Sequence, residues 1–360
     1  MTRTDGSVQS LRLWLGGLGA APVHVQRLLR LWLQARPLDS GRRRPEHFLP
    51  ADVRHALPAL ARDWEQLARL RSQHAAPDGS LRLLVDLHDG QAVESVLLPR
   101  DGVCVSTQVG CAVGCVFCMT GRAGLLRQLG SAEIVAQVVL ARRQRPVKKV
   151  VFMGMGEPAH NLDAVMEAIE VLGEEGGIGH KSLVLSTVGD ERVFQRLPQG
   201  RVKPALALSL HTTRASLREQ LLPRAPRIEP AELVARGHDY ARATGYPLQV
   251  QWTLIDGVND GDDEVEALAA LLAGRFAMLN LIPYNATEGD RWQRPPAERT
   301  VAMTRALNRR GILTRIRQSA GQEVQGGCGQ LRSRHAGQAP VAAPAPRRAT
   351  VPPADAGAAA

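Results

Sequence analysis

Cys111, Cys115 and Cys118 stand in the run Gly110-Cys111-Ala112-Val113-Gly114-Cys115-Val116-Phe117-Cys118, a C-x3-C-x2-C spacing. It offers three thiolates to one metal centre, and no fourth Cys or His stands nearby. Iron–sulfur clusters are held by Cys thiolates, usually four, and a [4Fe–4S] cluster given three keeps one iron open to an outside ligand. A structural zinc ion instead wants a closed tetrahedral shell of four ligands. Unrelated buried thiols are the third reading, because free Cys behaves as a small hydrophobe. Three thiols within eight residues, in a chain with five Cys altogether, argue against it. The vacancy therefore points to an iron–sulfur centre with an open position.

Such a centre needs a rigid frame. From Val103 onward, short β-rich runs at 150–153, 183–187, 205–210, 248–252 and 279–282 alternate with helical stretches such as 131–143 and 162–172. This order predicts an α/β fold, a parallel partial (β/α) barrel whose function gathers at the C-terminal strand ends. Polar residues do follow those runs: Gly154-Met155-Gly156-Glu157-Pro158, Ser186-Thr187-Val188-Gly189, Ser209-Leu210-His211 and Pro283-Tyr284-Asn285. Small residues let backbone approach a ligand closely, and a carboxylate can receive a ligand amine. Taken singly, the glycines read equally as a tight turn, the Ser and Asn as helix caps, and the His as a structural residue.

Four segments are predicted. Residues 1–76 read as a basic helical accessory domain, with Val25, Leu28, Leu29, Leu31 and Leu33 among Arg27, Arg30 and Arg36. Residues 77–103 read as a linking hairpin reversing at Asp89-Gly90, residues 104–335 as the core, and residues 336–360 as a disordered Ala/Pro/Arg tail. The 45 Lys+Arg against 35 Asp+Glu give a formal +10, which favours a polyanionic partner such as RNA. Aromatic residues make up only 4%, so arginine rather than a stacking platform must carry RNA contact. Candidates for phosphate contact are Arg42-Arg43-Arg44, Arg142-Arg143, Lys148-Lys149, Arg309-Arg310, Arg315, Arg317, Arg332, Arg334 and Arg347-Arg348. An odd Cys count argues against a secreted disulfide framework and for a reducing, cytoplasmic setting. The apolar stretch 11–23 is interrupted by Arg12 and too short to span a bilayer, so no export and no membrane are expected.

Together these motifs resemble the RlmN/Cfr family of radical S-adenosylmethionine (SAM) RNA methyltransferases. The resemblance runs from position 94 to 331. It is carried by Cys104-Val105-Ser106-Thr107-Gln108, the cysteine triad, Phe152-Met153-Gly154-Met155-Gly156-Glu157-Pro158, Leu185-Ser186-Thr187, Leu208-Ser209-Leu210-His211, Gly257-Val258-Asn259-Asp260, Asn280-Leu281-Ile282-Pro283-Tyr284-Asn285 and Cys328-Gly329-Gln330-Leu331. It implies a radical-SAM barrel in which Cys111, Cys115 and Cys118 ligate a [4Fe–4S] cluster, and Gly156, Glu157, Ser186, Ser209, Leu210, His211 and Asn285 hold SAM. The implied reaction methylates an adenine ring carbon, carbon 2 ahead of carbon 8, in rRNA or tRNA, and consumes two SAM per turnover. Cys328 is the implied methyl carrier, Cys104 the thiol that resolves it through a transient disulfide, and Glu94 the proton acceptor. Without the resemblance, Glu94 reads as an exposed strand carboxylate. The implied partners are RNA and an electron donor such as a flavodoxin or ferredoxin, acting on a monomer.

Family members commonly carry a run like Asp-Ile-Asp-Ala-Ala before the methylated Cys; here it is Glu323-Val324-Gln325-Gly326-Gly327. The glycine pair is expected to loosen that loop. Other readings are a radical-SAM enzyme acting on a peptide or metabolite, which would not need Cys104 and Cys328, and a non-catalytic RNA-binding protein with structural zinc.

Overall fold

A computed structural model describes residues 6–332, apart from 42, 43, 288 and 290. The tail from 336, Arg42, Arg43, Arg334, Arg347 and Arg348 lie outside the described residues. Three helices, α1 (Val8–Gly17), α2 (Pro22–Leu33) and α3 (Ala51–Leu67), precede the first strand. The strands are β1 (Arg69–Ala75), β2 (Leu81–Asp86), β3 (Ala92–Leu98), β4 (Gly102–Cys104), β5 (Gln108–Gly110), β6 (Leu125–Gln128), β7 (Lys149–Phe152), β8 (Leu183–Thr187), β9 (Ala205–Ser209), β10 (Leu248–Leu254), β11 (Ala277–Pro283) and β12 (Thr314–Ile316). Helices α4 (Met119–Arg122), α5 (Ser131–Gln144), α6 (Leu162–Glu174), α7 (Glu191–Arg196), α8 (Ala215–Leu221), α9 (Pro230–Thr244), α10 (Asp262–Leu272) and α11 (Ala297–Arg309) fall between them.

Ten strands form one sheet in the order β1-β2-β3-β4-β7-β8-β9-β10-β11-β12. From β4 to β12 every neighbouring pair is parallel. The expected α/β barrel strands are all present, and β7 to β11 coincide with the apolar runs because strands covered by helices on both faces need continuous Val, Leu and Ile. Strands β1 to β4 join as an antiparallel meander, with Val96 opposite Cys104.

Two expectations need correction here. The helical reading of residues 1–76 fails at β1, whose exposed residues include Arg69 and Gln73. A strand that takes its order from one neighbour at a sheet edge needs little apolar alternation, so its own sequence gives little signal. The hairpin, which does reverse at Asp89-Gly90 with Gly90 at φ 81°, is an extension of the main sheet rather than a linker.

The N-terminal helices share one apolar core with the barrel: Leu28, Leu29 and Leu33 of α2 are fully buried in the same cluster as Ile134 and Val138 of α5. The chain at Ser7 caps α1 and docks it, with Val8 N–H donating to Ser131 Oγ at 2.9 Å. Arg142 does similar work. Its Nη1 donates to Leu33 O at 2.7 Å and its Nη2 to Gly176 O at 2.8 Å, so it ties α2 to the end of α6 and is not placed as a phosphate contact. Hydrogen bonds to a charged group contribute roughly 1.5–3 kcal/mol each. Arg142→Ala is therefore expected to lower stability by about 2 kcal/mol in denaturant titration. It should leave the salt dependence of RNA binding unchanged; a shallower salt slope would return Arg142 to the phosphate contacts. Among the described residues, no helix is long and apolar enough to cross a membrane.

Candidate active site

The cysteine loop hangs from the small antiparallel pair β5 and β6, which the sequence did not disclose. Gly110 is irreplaceable there: its φ is 79°, and a Cβ would come within 2.0 Å of Gly124 O. Cys111 N–H donates to Gly124 O at 2.9 Å and Cys118 N–H to Cys115 O at 3.0 Å, closing the loop on itself. From outside, Val116 N–H donates to Leu221 O at 3.1 Å and Arg224 Nη1 to Ala112 O at 3.2 Å.

Cys111, Cys115 and Cys118 line one cavity with Gly156, Glu157, Ser186, Ser209 and His211 at the C-terminal strand ends. Burial pushes the Cys111 thiol up to about 12 and raises those of Cys115 and Cys118. For Cys115, repulsion from Cys118 and Cys111 adds to the burial. Three crowded, desolvated thiols become thiolates only beside positive charge, and metal ions supply that charge. The three thiols on one short loop, lining one cavity, are a donor set that fits a cluster with one iron left open.

Five of the seven predicted SAM residues line this cavity. Gly156 has φ 103°, and a Cβ would come within 2.6 Å of the Gln108 side chain. Glu157 is buried; its two carboxylate oxygens accept Ala159 N–H and Val188 N–H, each at 3.0 Å, while burial raises its pKa. The Thr187 hydroxyl adds a third hydrogen bond to this carboxylate. Ser186 Oγ lies 3.5 Å from Ser209 Oγ. His211 sits at φ 65°, accepts Thr253 N–H through Nδ1 at 2.9 Å, and is pushed down to about 3 by burial and then by Arg218, so it stays neutral. The Gly-Val-Asn-Asp motif holds it there: Asn259 Nδ2 donates to His211 O at 2.7 Å and Thr253 O at 2.8 Å.

The structure does not bring Leu210 and Asn285 into that wall. Ser209 faces the cavity, so the next side chain points the other way and is fully buried. Asn285 Nδ2 is engaged by Ser319 Oγ at 2.8 Å and Cys328 O at 3.0 Å.

A second, adjoining cavity is lined by Cys104, Cys118, Arg317 and Cys328. Cys118, Met153, Gly154, Arg317, Cys328 and Gly329 belong to both walls, so the two cavities adjoin. Cys104 ends β4 as a buried free thiol, pushed up to about 12 by burial and then by Cys328, with Arg317 opposing. The Cys328 loop is pinned to the cysteine loop: Met119 N–H donates to Gly329 O at 2.8 Å and Thr120 Oγ1 to Leu331 O at 2.6 Å. Here a further expectation is corrected. A Cβ on Gly327 would meet Gln330 Oε1 at 2.7 Å and Asn285 Nδ2 at 3.0 Å, so this glycine permits close packing rather than slack.

Glu94 is fully buried, which overturns its reading as an exposed strand carboxylate. Arg82 Nη1 donates to its Oε1 at 2.7 Å and Arg332 N–H to its Oε2 at 3.1 Å. Its carboxylate stands behind the wall of the second cavity, which Val96 on the same face of β3 and Leu331 help to form.

Several expected phosphate contacts are used elsewhere. Arg317 donates to Gln251 Oε1 at 3.2 Å inside the site, Lys148 pairs with Asp101 at 3.2 Å, and Arg310 pairs with Glu266. Arg309 and Arg315 remain exposed. Reasoning from sequence missed Arg218, a 4% exposed arginine behind the cavity, because a lone Arg in a short helix reads as a solvated one.

The sequence profile of the Radical SAM superfamily matches residues 105–272. A protein of Leptothrix cholodnii named "Probable RNA methyltransferase" is 69% identical over 91% of this chain and 94% of its own length. One of the same name from Pseudomonas aeruginosa is 65% identical over 91% of this chain and 95% of its own. The crystal structure of a radical SAM methyltransferase from Sphaerobacter thermophilus superposes with a TM-score of 0.78 at 34% identity, covering 92% of this chain and 98% of that one.

Proposed function

Because the chain belongs to the radical SAM RNA methyltransferase family, we propose that it methylates carbon 2 of an adenine in rRNA or tRNA, using Cys328 as methyl carrier and Cys104 as resolving thiol. The observation that carries this reading is the pair of free thiols in a cavity that shares its wall with that of the cysteine triad. A radical SAM enzyme acting on a peptide or metabolite has no use for that pair.

Cys111, Cys115 and Cys118 would hold the cluster, with Gly156, Glu157, Ser186, Ser209 and His211 around SAM. When bound, the cluster and SAM supply the one-electron chemistry that removes a hydrogen atom from an S-methyl group. An aromatic ring carbon such as adenine carbon 2 is electrophilic and cannot attack a SAM methyl directly, so a protein thiolate must take that methyl first. Cys328 does so from one SAM, and hydrogen-atom removal with a second leaves a methylene on its sulfur that bonds to the ring carbon. One electron, which the cluster would take up when bound, and the ring proton must then leave; Glu94 is assigned the proton. Attack by the Cys104 thiolate on Cys328 sulfur breaks the sulfur–methylene bond and leaves a disulfide, and the departing methylene carbon takes up a proton to become the methyl group of the released base. Two electrons from a thiol reductant reset it.

Phosphate contact falls to exposed cations such as Arg309 and Arg315, and the adenine must be unstacked to reach the cavity. The chain would work as a monomer in the cytoplasm with a flavodoxin or ferredoxin as electron donor.

The mechanism is tested by supplying SAM with a fully deuterated methyl group to the reduced, cluster-loaded protein and RNA. The product methyl is expected to retain two deuterons, because one is lost from sulfur-bound carbon; an intact trideuteromethyl would contradict the carrier role. Glu94→Gln is expected to slow loss of the ring proton and accumulate the protein–RNA adduct. Normal turnover by that variant, with a destabilised fold, would leave Glu94 as a support for the Cys328 loop alone.

A further inference from the structure

Arg218 places a buried positive charge beside the site. It is 4% exposed, its Nε is buried without a hydrogen-bond partner, and among the described residues the carboxylate that feels its charge, Glu157, makes no hydrogen bond to it. Its Nη2 donates to Val188 O and, at 3.5 Å, to Ser209 O, which are carbonyls at the ends of β8 and β9. The helix that carries it, α8, buttresses the cysteine loop: Leu217 and Leu221 pack with Cys111, Val113 and Phe117, and Leu221 O accepts Val116 N–H. Cys115 and Glu157 are the anion-forming groups that feel its charge, while burial pulls the guanidinium down to about 10.

Burying a charge is costly, and an anion that arrives beside it offsets that cost. The anion arriving at this spot is the set of cysteine thiolates with its iron–sulfur core, which takes up a further negative charge when it accepts an electron. Net charge near a cluster is one of the levers that set its potential.

We propose that Arg218 is the counter-charge of the iron–sulfur site, a positioning residue that holds the β8 and β9 ends in place and makes one-electron reduction of the cluster easier. This rests on the radical SAM reading above. A neighbouring cation favours the more negative redox state, so removing it must shift the midpoint to more negative potential.

The test is an equilibrium redox titration of anaerobically reconstituted protein, followed by electron paramagnetic resonance, with neither SAM nor RNA present. Arg218→Gln keeps a hydrogen-bond donor without the charge, and Arg218→Lys keeps the charge. The glutamine variant is expected to show at least a tenfold lower ratio of reduced to oxidised cluster at a fixed potential, equivalent to about 59 mV for one electron. The lysine variant should stay close to wild type. Equal midpoints in the glutamine and lysine variants would overturn the proposal and leave Arg218 as a structural clamp. If the glutamine variant fails to fold, Arg218→Met and Arg218→Lys are compared on the same criterion. A wild-type protein that forms no iron–sulfur signal would instead sink the radical SAM reading itself.

Discussion

Replacing Cys328 with alanine is expected to abolish methyl transfer to RNA while SAM is still cleaved under reducing conditions. The triad and the strand-end residues around SAM stay intact, because the Cys328 side chain forms part of the cavity wall and the loop itself is held by backbone contacts to Met119, Thr120 and Asn285. What disappears is the sulfur that takes the methyl group. Loss of a covalent nucleophile typically costs several orders of magnitude, so RNA methylation should fall by roughly 10⁴-fold or more. Quantifying deoxyadenosine and methylated nucleoside from the same reaction separates the two effects. Wild-type methylation by Cys328→Ala would remove the carrier from the mechanism.

Cys104→Ala is expected to stop the reaction one step later, with the protein covalently joined to RNA. With no second thiol the sulfur–methylene bond cannot break, so nuclease-resistant nucleotide should copurify with the variant and appear as added mass on the peptide containing Cys328. In the wild type the resolving group must first ionise. Burial pushes Cys104 up to about 12, so at neutral pH only a small fraction is thiolate. Below that pKa the thiolate fraction grows about tenfold per pH unit, and single-turnover release should accelerate with rising pH accordingly. Arg317, which opposes the upward shift, extends this: Arg317→Met should slow release at a given pH. Release independent of pH, or a Cys104→Ala protein free of RNA with Cys328 still methylated, would contradict the assignment.

How much of this was legible in the sequence depended on how local each signal was. The cysteine triad announced itself because its three thiols fall within eight residues. The parallel strands β7 to β11 were legible because burial on both faces demands apolar runs. The strand β1 was not, since it draws its order from pairing with β2 and carries exposed polar residues. The small pair β5 and β6, three and four residues long, is too short for any period. The arginines divided least predictably. Arg142, Arg218 and Arg317 look like the solvated cations around them, yet one ties helices to the barrel, one lies buried behind the site and one lines it. Only tertiary structure tells them apart, because a long amphipathic side chain can bury its stem and send its charge inward or outward. The Gly326-Gly327 pair misled in the opposite sense: local flexibility was legible, but the packing of Gly327 against Asn285 and Gln330 was not.

Methyl transfer from this chain to an adenine carbon of RNA is checked by mass spectrometry of nucleosides from rRNA and tRNA of a deletion strain, its parent, and strains complemented with wild type or Cys328→Ala. 2-Methyladenosine is expected to vanish from one RNA class on deletion and to return with the wild-type chain only. Loss of 8-methyladenosine instead would keep the mechanism and move the target carbon. Unchanged levels of both nucleosides in every strain would contradict the account and favour a substrate other than RNA.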